Sequence, residues 1–289
     1  MKYGRKIGIV DTTLRDGEQS PGIVFTAQDK LAIAIALDQS GVEWIEAGVP
    51  IMGEEEQEAM KLILGASLQA KVISWNRAFK EDILSSIACG FSYVHISVPV
   101  SELHITQKIK KSPEWVLSQL EQSISLAHSY GCIISVGAED ASRADLDYFL
   151  QVANVAEKMG AIRIRYADTV GCLTPFSTNT IFKELVSRCP LPIEVHMHND
   201  FGLATANTLV ALDAGAKLAS TTVAGIGERA GNAEFEEVVT GLYNFYGIDT
   251  GIDVGKLNSL NELVARVSQR KKFSYKPFSG DAFLTNCIT

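Results

Sequence analysis

Two histidines separated by a single residue, His196 and His198, carry the sharpest chemical signal in the chain. Side chains alternate between faces along an extended strand, so both imidazoles project to one side and Met197 to the other. Two neutral imidazoles sharing a face with a carboxylate make a divalent-metal site that leaves positions open for substrate. Asp11, Asp16, Asp168 and Asp200 are the candidates for that carboxylate. The competing interpretation is a pair of hydrogen-bonded strand histidines. With only 5 histidines in the chain, two together at a strand end favour the metal site. Arg15 beside Asp16 adds a guanidinium that can stabilise an enolate or alkoxide as it forms, or else makes a structural ion pair at a loop mouth. The glycine-rich stretch 225–232 either cradles a phosphate or carboxylate through backbone N–H groups or simply turns tightly. Lys108, Lys110 and Lys111 form a small basic run, best read as a solvated face, with contact to an acidic cofactor tail as the alternative.

The elements that must position these residues repeat a single unit. Short apolar runs rich in β-branched residues are expected as strands at 7–13, 42–48, 71–76, 93–99, 133–139, 162–168, 193–198 and 218–224. Helical spacing is expected over 27–39, 54–64, 113–130, 143–159, 178–187, 203–214 and 234–246, with Ser112-Pro113 opening one helix and Gly41, Gly131, Gly160 and Gly215 closing others. Strands alternating with helices imply parallel pairing through right-handed crossovers. Eight such units predict an α/β fold of the (β/α)8 TIM-barrel type over residues 1–250. An open doubly wound sheet is the runner-up, but residues 12–22 after the first strand contain no G-x-G-x-x-G. One more helix, about 254–270, and a tail are expected over 251–289. The tail mixes Pro277, Gly280, aromatic and polar residues without clear periodicity and reads as the start of a further segment.

A barrel of this kind does its chemistry at the C-terminal ends of its strands. The polar residues collect at those ends: Asp11 to Gln19 after the first strand, Glu46 in the second, Asn76 and Arg77 after the third, and His95 and Ser97 in the fourth. Glu139, Asp140 and Arg143 follow the fifth, Asp168 and Thr169 the sixth, His196 to Asp200 the seventh, and Gly225 to Asn232 the eighth. Core strands avoid such groups unless they are paired or bind metal.

Composition excludes several other classes. The 289 residues carry 26 Lys+Arg against 34 Asp+Glu, a net charge of −8, which argues against nucleic acid or an anionic membrane as the main partner. Five scattered cysteines without a C-x-x-C pair suit a reducing compartment better than a disulfide framework or a thiolate zinc site. The polar N-terminus lacks a signal-peptide core, and no apolar run reaches the roughly 18 residues that span a bilayer. A cytoplasmic, soluble protein is therefore expected.

Three motifs in order, DTTLRDGEQ (11–19), HMHND (196–200) and GERAGNA (227–233), resemble the metal-dependent acyl-CoA/2-oxo acid synthases. That family includes the 2-isopropylmalate, citramalate and homocitrate synthases, and the likeness covers nearly the whole chain. Within it, PIMGEE (50–55), SVPVSELH (97–104) and AEDASR (138–143) are most similar to the homocitrate synthases associated with nitrogen fixation. The more distant lyase branch carries a cysteine in its glycine loop, which this chain lacks.

The resemblance implies a (β/α)8 catalytic barrel and a claim for each site residue. Asp16, His196 and His198 would hold a divalent ion (Mg, Mn or Zn), with Asn232 at or near it. Arg15 would stabilise the enolate or alkoxide, and Glu139 would take part in acid–base work. Thr169 would hold the carboxylate of the 2-oxo acid, with Gln19 and Arg143 also at the substrate. A basic residue after the third strand would read the distal carboxylate, and Arg77 lies nearest that place. The implied reaction is a Claisen condensation of acetyl-CoA with 2-oxoglutarate, then thioester hydrolysis. Isopropylmalate or citramalate synthesis is the alternative within the class. A binding subunit that needs a separate C-terminal chain is the alternative outside it. A homodimer is the implied assembly. Full-length relatives continue past residues 276–283 into a linker supplying a further histidine and tyrosine, so the resemblance implies that this chain is a trimmed form or one half of a naturally split enzyme.

Overall fold

The computed structural model describes residues 6–270, so the stretch 276–283 lies outside the described residues. Eight parallel strands close into a barrel in sequence order: β1 (Gly8–Asp11), β2 (Trp44–Gly48), β3 (Lys71–Arg77), β4 (Tyr93–Pro99), β5 (Ile133–Glu139), β6 (Ile164–Asp168), β7 (Ile193–Met197) and β8 (Leu218–Thr221). β8 returns to β1 with Asp11 opposite Thr221, which leaves no open sheet edge. The expected barrel is therefore the observed one, and the strands agree with expectation to within a few residues at each end.

Helices α1 (Ala27–Gln39), α2 (Glu54–Gly65), α3 (Lys80–Cys89), α4 (Pro113–Ser129), α5 (Leu146–Lys158), α6 (Pro175–Arg188), α7 (Ala204–Ala214) and α8 (Phe235–Tyr246) cover the outside. Thr26 caps α1 reciprocally with Asp29, and Ser112 caps α4 ahead of Pro113. α3 was not expected from the sequence. Its N-cap, Phe79, offers no side-chain acceptor, and Ser85 and Ser86 interrupt its apolar spacing. Its remaining signals are Glu81 and Asp82 in the first turn and a left-handed Gly90 at the end. The predicted helix over 254–270 is a 3-10 turn (Val254–Lys256) followed by α9 (Leu257–Val267). α9 buries Leu257, Leu260 and Val264, and the chain around it ties back to the barrel: Asp253 N donates to Ser40 O and Lys256 Nζ to Gln39 O. No helix among the described residues is long and apolar enough to cross a membrane.

The main apolar core lies between strands and helices. The barrel interior is filled differently at its two ends. Val10, Trp44 and Ile73 plug the end near the strand N-termini, with Tyr93 edge-on to Trp44 at 5.5 Å. Above this plug the interior is charged. Arg163 and Arg165 bracket Glu194, with Arg163 Nε donating at 2.7 Å and Arg165 Nε at 2.5 Å. Arg165 Nη2 then donates to Glu46 at 2.6 Å, and Glu46 also accepts from Thr12 Oγ1 and Arg15 Nε. All five of these charged side chains lie within 9 % exposure, so a column of ion pairs runs from the plug to the barrel mouth.

A candidate metal centre at the barrel mouth

The column ends at three donor atoms. Asp16 Oδ2 lies 2.9 Å from His196 Nε2 and 3.9 Å from His198 Nε2, and the two ring nitrogens are 3.1 Å apart. Ligand atoms about 2.1 Å from a common ion and a right angle apart are separated by about 3 Å. All three residues are buried, and they are the one such convergence of His, Cys, Asp or Glu among the described residues. Asp16 Oδ2 has no conventional hydrogen-bond donor, and Asn232 Oδ1 is likewise buried without a partner. Orphaned acceptors are rare in a folded interior, and a cation between these two is a partner that would satisfy both. The donor set therefore fits a divalent ion held by Asp16, His196 and His198, with Asn232 beside it.

Local structure explains how these groups arrive. His196 sits on β7 with Nδ1 3.0 Å from Ser220 Oγ on β8, which fixes its ring. His198 follows one strand period later and pairs with Asn232 in an isolated antiparallel bridge. Asn232 is delivered by the glycine loop. Gly231 has φ +90°, and a Cβ there would lie 2.0 Å from Gly225 O; a Cβ on Gly227 would meet Asn232 Nδ2 at 2.2 Å. The loop thus turns tightly around the asparagine, whose Nδ2 donates to Ile226 O at 3.1 Å. Of the two expectations for these glycines, the tight turn is the observed one.

The charges respond to this packing. Burial alone would raise the Asp16 carboxyl, but Arg15 and then the two histidines hold it well below the usual carboxylate range. Burial, reinforced by His196, pushes His198 down to about 3, so its ring is neutral and available as a ligand. Asp11 moves the other way: burial, partly offset by hydrogen bonds from Thr13, raises it to about 7. Asp11 accepts from Thr13 N and Thr13 Oγ1 and stands outside the triad. Asp168 accepts from Cys172 N and Leu173 N, and Asp200 is paired with Arg229. Asp16 is thus the carboxylate that meets the histidines.

A cavity of about 360 Å³ opens over the triad, and Arg15, Gln19, Glu139 and Thr169 also line it. Arg15 Nη1 is 3.6 Å from Asp16. Thr169 Oγ1 accepts from Asp140 N at 2.8 Å, which leaves its own proton free to donate into the cavity. Glu139 meets Lys108 Nζ at 2.7 Å and His104 Nδ1 at 3.1 Å. Lys108, Lys110 and Lys111 are all exposed, as the solvated-face reading expects; Lys108 reaches in from the rim to Glu139, and Lys111 lies over the Trp115 ring. Two expected residues are placed elsewhere. Arg77 turns outward, half-exposed, into a bidentate pair with Asp82, because the Asp82 carboxylate at the start of α3 lies beside it. Arg143 is held by both oxygens of Asp140 and does not line the cavity.

Several residues that build the site were not anticipated. Arg163, Arg165 and Glu194 carry a signal that was available: they repeat at i, i+2 in strands, and Glu194 precedes His196 and His198 in the same phase. His104 carries no such signal, because the loop after β4 brings it to Glu139 across 35 positions.

Comparison with known proteins agrees with this architecture. The chain is 48% identical over 276 residues to homocitrate synthase 1 of Nostoc sp., spanning 96% of this chain and 73% of that one. It is 44% identical over 269 residues to 2-isopropylmalate synthase 2 of Caldanaerobacter subterraneus, spanning 93% and 70%. The solved structure of HMG-CoA lyase from Bacillus subtilis superposes with a TM-score of 0.85 at 20% identity, over 98% of this chain and 100% of the other, which establishes the shared fold. The HMGL-like family model matches residues 6–264, and the chain belongs to that family.

Proposed function

We propose that the chain is an acyltransferase that condenses acetyl-CoA with 2-oxoglutarate and hydrolyses the resulting thioester to homocitrate and free CoA. The observation that carries this reading is the convergence of Asp16, His196 and His198 with Arg15, Glu139 and Thr169 on one cavity at the barrel mouth. Relatives named for homocitrate and isopropylmalate synthesis support the same reaction class.

Asp16, His196 and His198, with Asn232 beside them, would hold a divalent ion, which when bound would supply Lewis acidity toward the 2-oxo group. Thr169 Oγ1 donates to the carboxylate next to that group and orients the acid. Glu139 takes a proton from the acetyl methyl of acetyl-CoA. The carbanion electrons form the new carbon–carbon bond at the 2-oxo carbon, and the carbonyl electrons move onto its oxygen. Arg15, held rigid by Glu46, donates to the oxygen on which this charge collects. That oxygen takes up a proton equivalent to the one Glu139 removed, leaving the hydroxyl of the product. Water then adds to the thioester carbonyl, its hydroxyl staying on the acyl carbon and its proton going to the sulfur as CoA leaves as the thiol.

Thiol release from acetyl-CoA, measured with a divalent metal and a panel of 2-oxo acids, tests the reading. Release selective for 2-oxoglutarate is the expected result. Selectivity for pyruvate or 2-oxoisovalerate keeps the reaction class and changes the substrate. No release with any acid, despite bound metal, overturns the reading for the chain acting alone.

A further inference from the structure

A 2-oxo dicarboxylate needs a partner for its far carboxylate, and Arg77 does not face the cavity. The cavity floor offers a different one. His95 on β4 is buried, its Nδ1 lies 2.9 Å from Ser135 Oγ, and its Nε2 is buried with no hydrogen-bond partner. The Ser135 hydroxyl can donate to Nδ1, which puts the ring proton on Nε2. Burial, and after it Arg165, holds this ring well below the usual histidine range, so it is neutral and acts through that N–H.

The space in front of Nε2 exists because residue 137 is glycine. A Cβ on Gly137 would come within 2.5 Å of His95 Nε2 and 3.3 Å of Ser97 Oγ. Gly137 lies inside β5 without a positive φ, so the backbone does not require glycine there. Arg165 is its register partner on β6 and lines the same cavity. Its guanidinium is fixed by Glu194 through Nε and by Glu46 through Nη2 at 2.6 Å and Nη1 at 3.3 Å. Three of its five N–H groups are engaged, which leaves donors to spare.

We propose that His95 and Arg165, across the gap left by Gly137, bind the distal carboxylate of the 2-oxo acid and select a dicarboxylate over an apolar acid. This inference rests on the condensing reading above. An apolar substrate tail would seal a buried imidazole N–H and a guanidinium against a methyl group. Sites built to hydrogen-bond a substrate group reject analogues that lack it far more strongly than apolar pockets distinguish sizes. A carboxylate satisfies both donors.

The test is calorimetric titration of the Mn²⁺-loaded chain, without acetyl-CoA, comparing 2-oxoglutarate with 2-oxopentanoate, which carries a methyl in place of the far carboxylate. Wild type is expected to bind 2-oxoglutarate at least ~100-fold tighter. His95→Leu removes the donor and Gly137→Ala fills the gap. Each is expected to compress the ratio below ~10-fold, mainly by weakening 2-oxoglutarate. Arg77→Ala should leave the ratio unchanged. If His95→Leu fails to fold by circular dichroism, Gly137→Ala carries the test. No preference in wild type, an unchanged ratio in the folded variants, or its loss in Arg77→Ala overturns the subsite while leaving the reaction class standing. Failure of the Mn²⁺-loaded chain to bind either acid overturns the condensing reading itself, and this subsite with it.

Discussion

At the scale of single residues, the metal centre depends on donor chemistry more than on packing. His198 makes no hydrogen bond through Nδ1, and its Nε2 faces only His196 and Asp16. Replacing it with alanine removes a ligand and little else that supports the fold. His198→Ala is therefore expected to lose divalent metal on dialysis while keeping the wild-type circular dichroism spectrum and losing only about 1–2 kcal/mol of stability. Elemental analysis of the dialysed variant reads the outcome, and full metal occupancy would refute the ligand assignment. The pair was legible because a period of two is a strong local constraint. Which aspartate completes it was not legible. Asp11, Asp16, Asp168 and Asp200 all stand at strand ends, and only the closed barrel brings one of them to the histidines.

At the scale of elements, the loops after the strands do the positioning. The first is anchored by Lys30, which α1 buries between Glu18 on the β1 loop and Glu56 on α2. The loop after β8 depends on its glycines instead. Gly231→Ala would drive a methyl into the Gly225 carbonyl at a φ that L-residues rarely adopt. That substitution is expected to cost about 1–3 kcal/mol in urea denaturation and to displace Asn232, weakening metal binding even though no ligand is changed. Unaltered metal affinity would show that Asn232 is not coupled to the loop. The strand register was legible because parallel strands buried on both faces read as apolar runs bounded by turns. Helix α3 was not, because it lacks a side-chain cap and a clean apolar face. Arg77 was misplaced for the same reason: Asp82, which holds it outside the cavity, belongs to that unanticipated helix.

At the scale of the whole molecule, the barrel interior joins stability to chemistry. A core of apolar side chains would fill the same space, yet this one stacks Arg163, Glu194, Arg165, Glu46 and Arg15 in alternating charge up to Asp16. Buried pairs of this kind are weak sources of net stability but costly to break, since the partner is left charged and desolvated. Glu46 is the joint, because it alone holds both Arg165 and Arg15. Although burial opposes it, Arg15 and Arg165 keep the Glu46 carboxyl well below its ordinary range. A carboxyl depressed in the folded state contributes stability above its unfolded value, near 4.3, and loses it as pH falls toward the folded value. Glu46→Gln is therefore expected to cost about 3–5 kcal/mol at pH 7. The gap from wild type should narrow as the pH is lowered below about 4. Chemical denaturation at pH 7 and at pH 3 reads both quantities. The same variant frees Arg15 from its anchor while leaving Asp16, His196 and His198 in place. Metal content should therefore stay near wild type while CoA release falls by at least ~100-fold. A gap that does not change with pH would mean that Glu46 is not ionised in the column. Undiminished turnover would mean that Arg15 does not need Glu46 to reach the substrate oxygen.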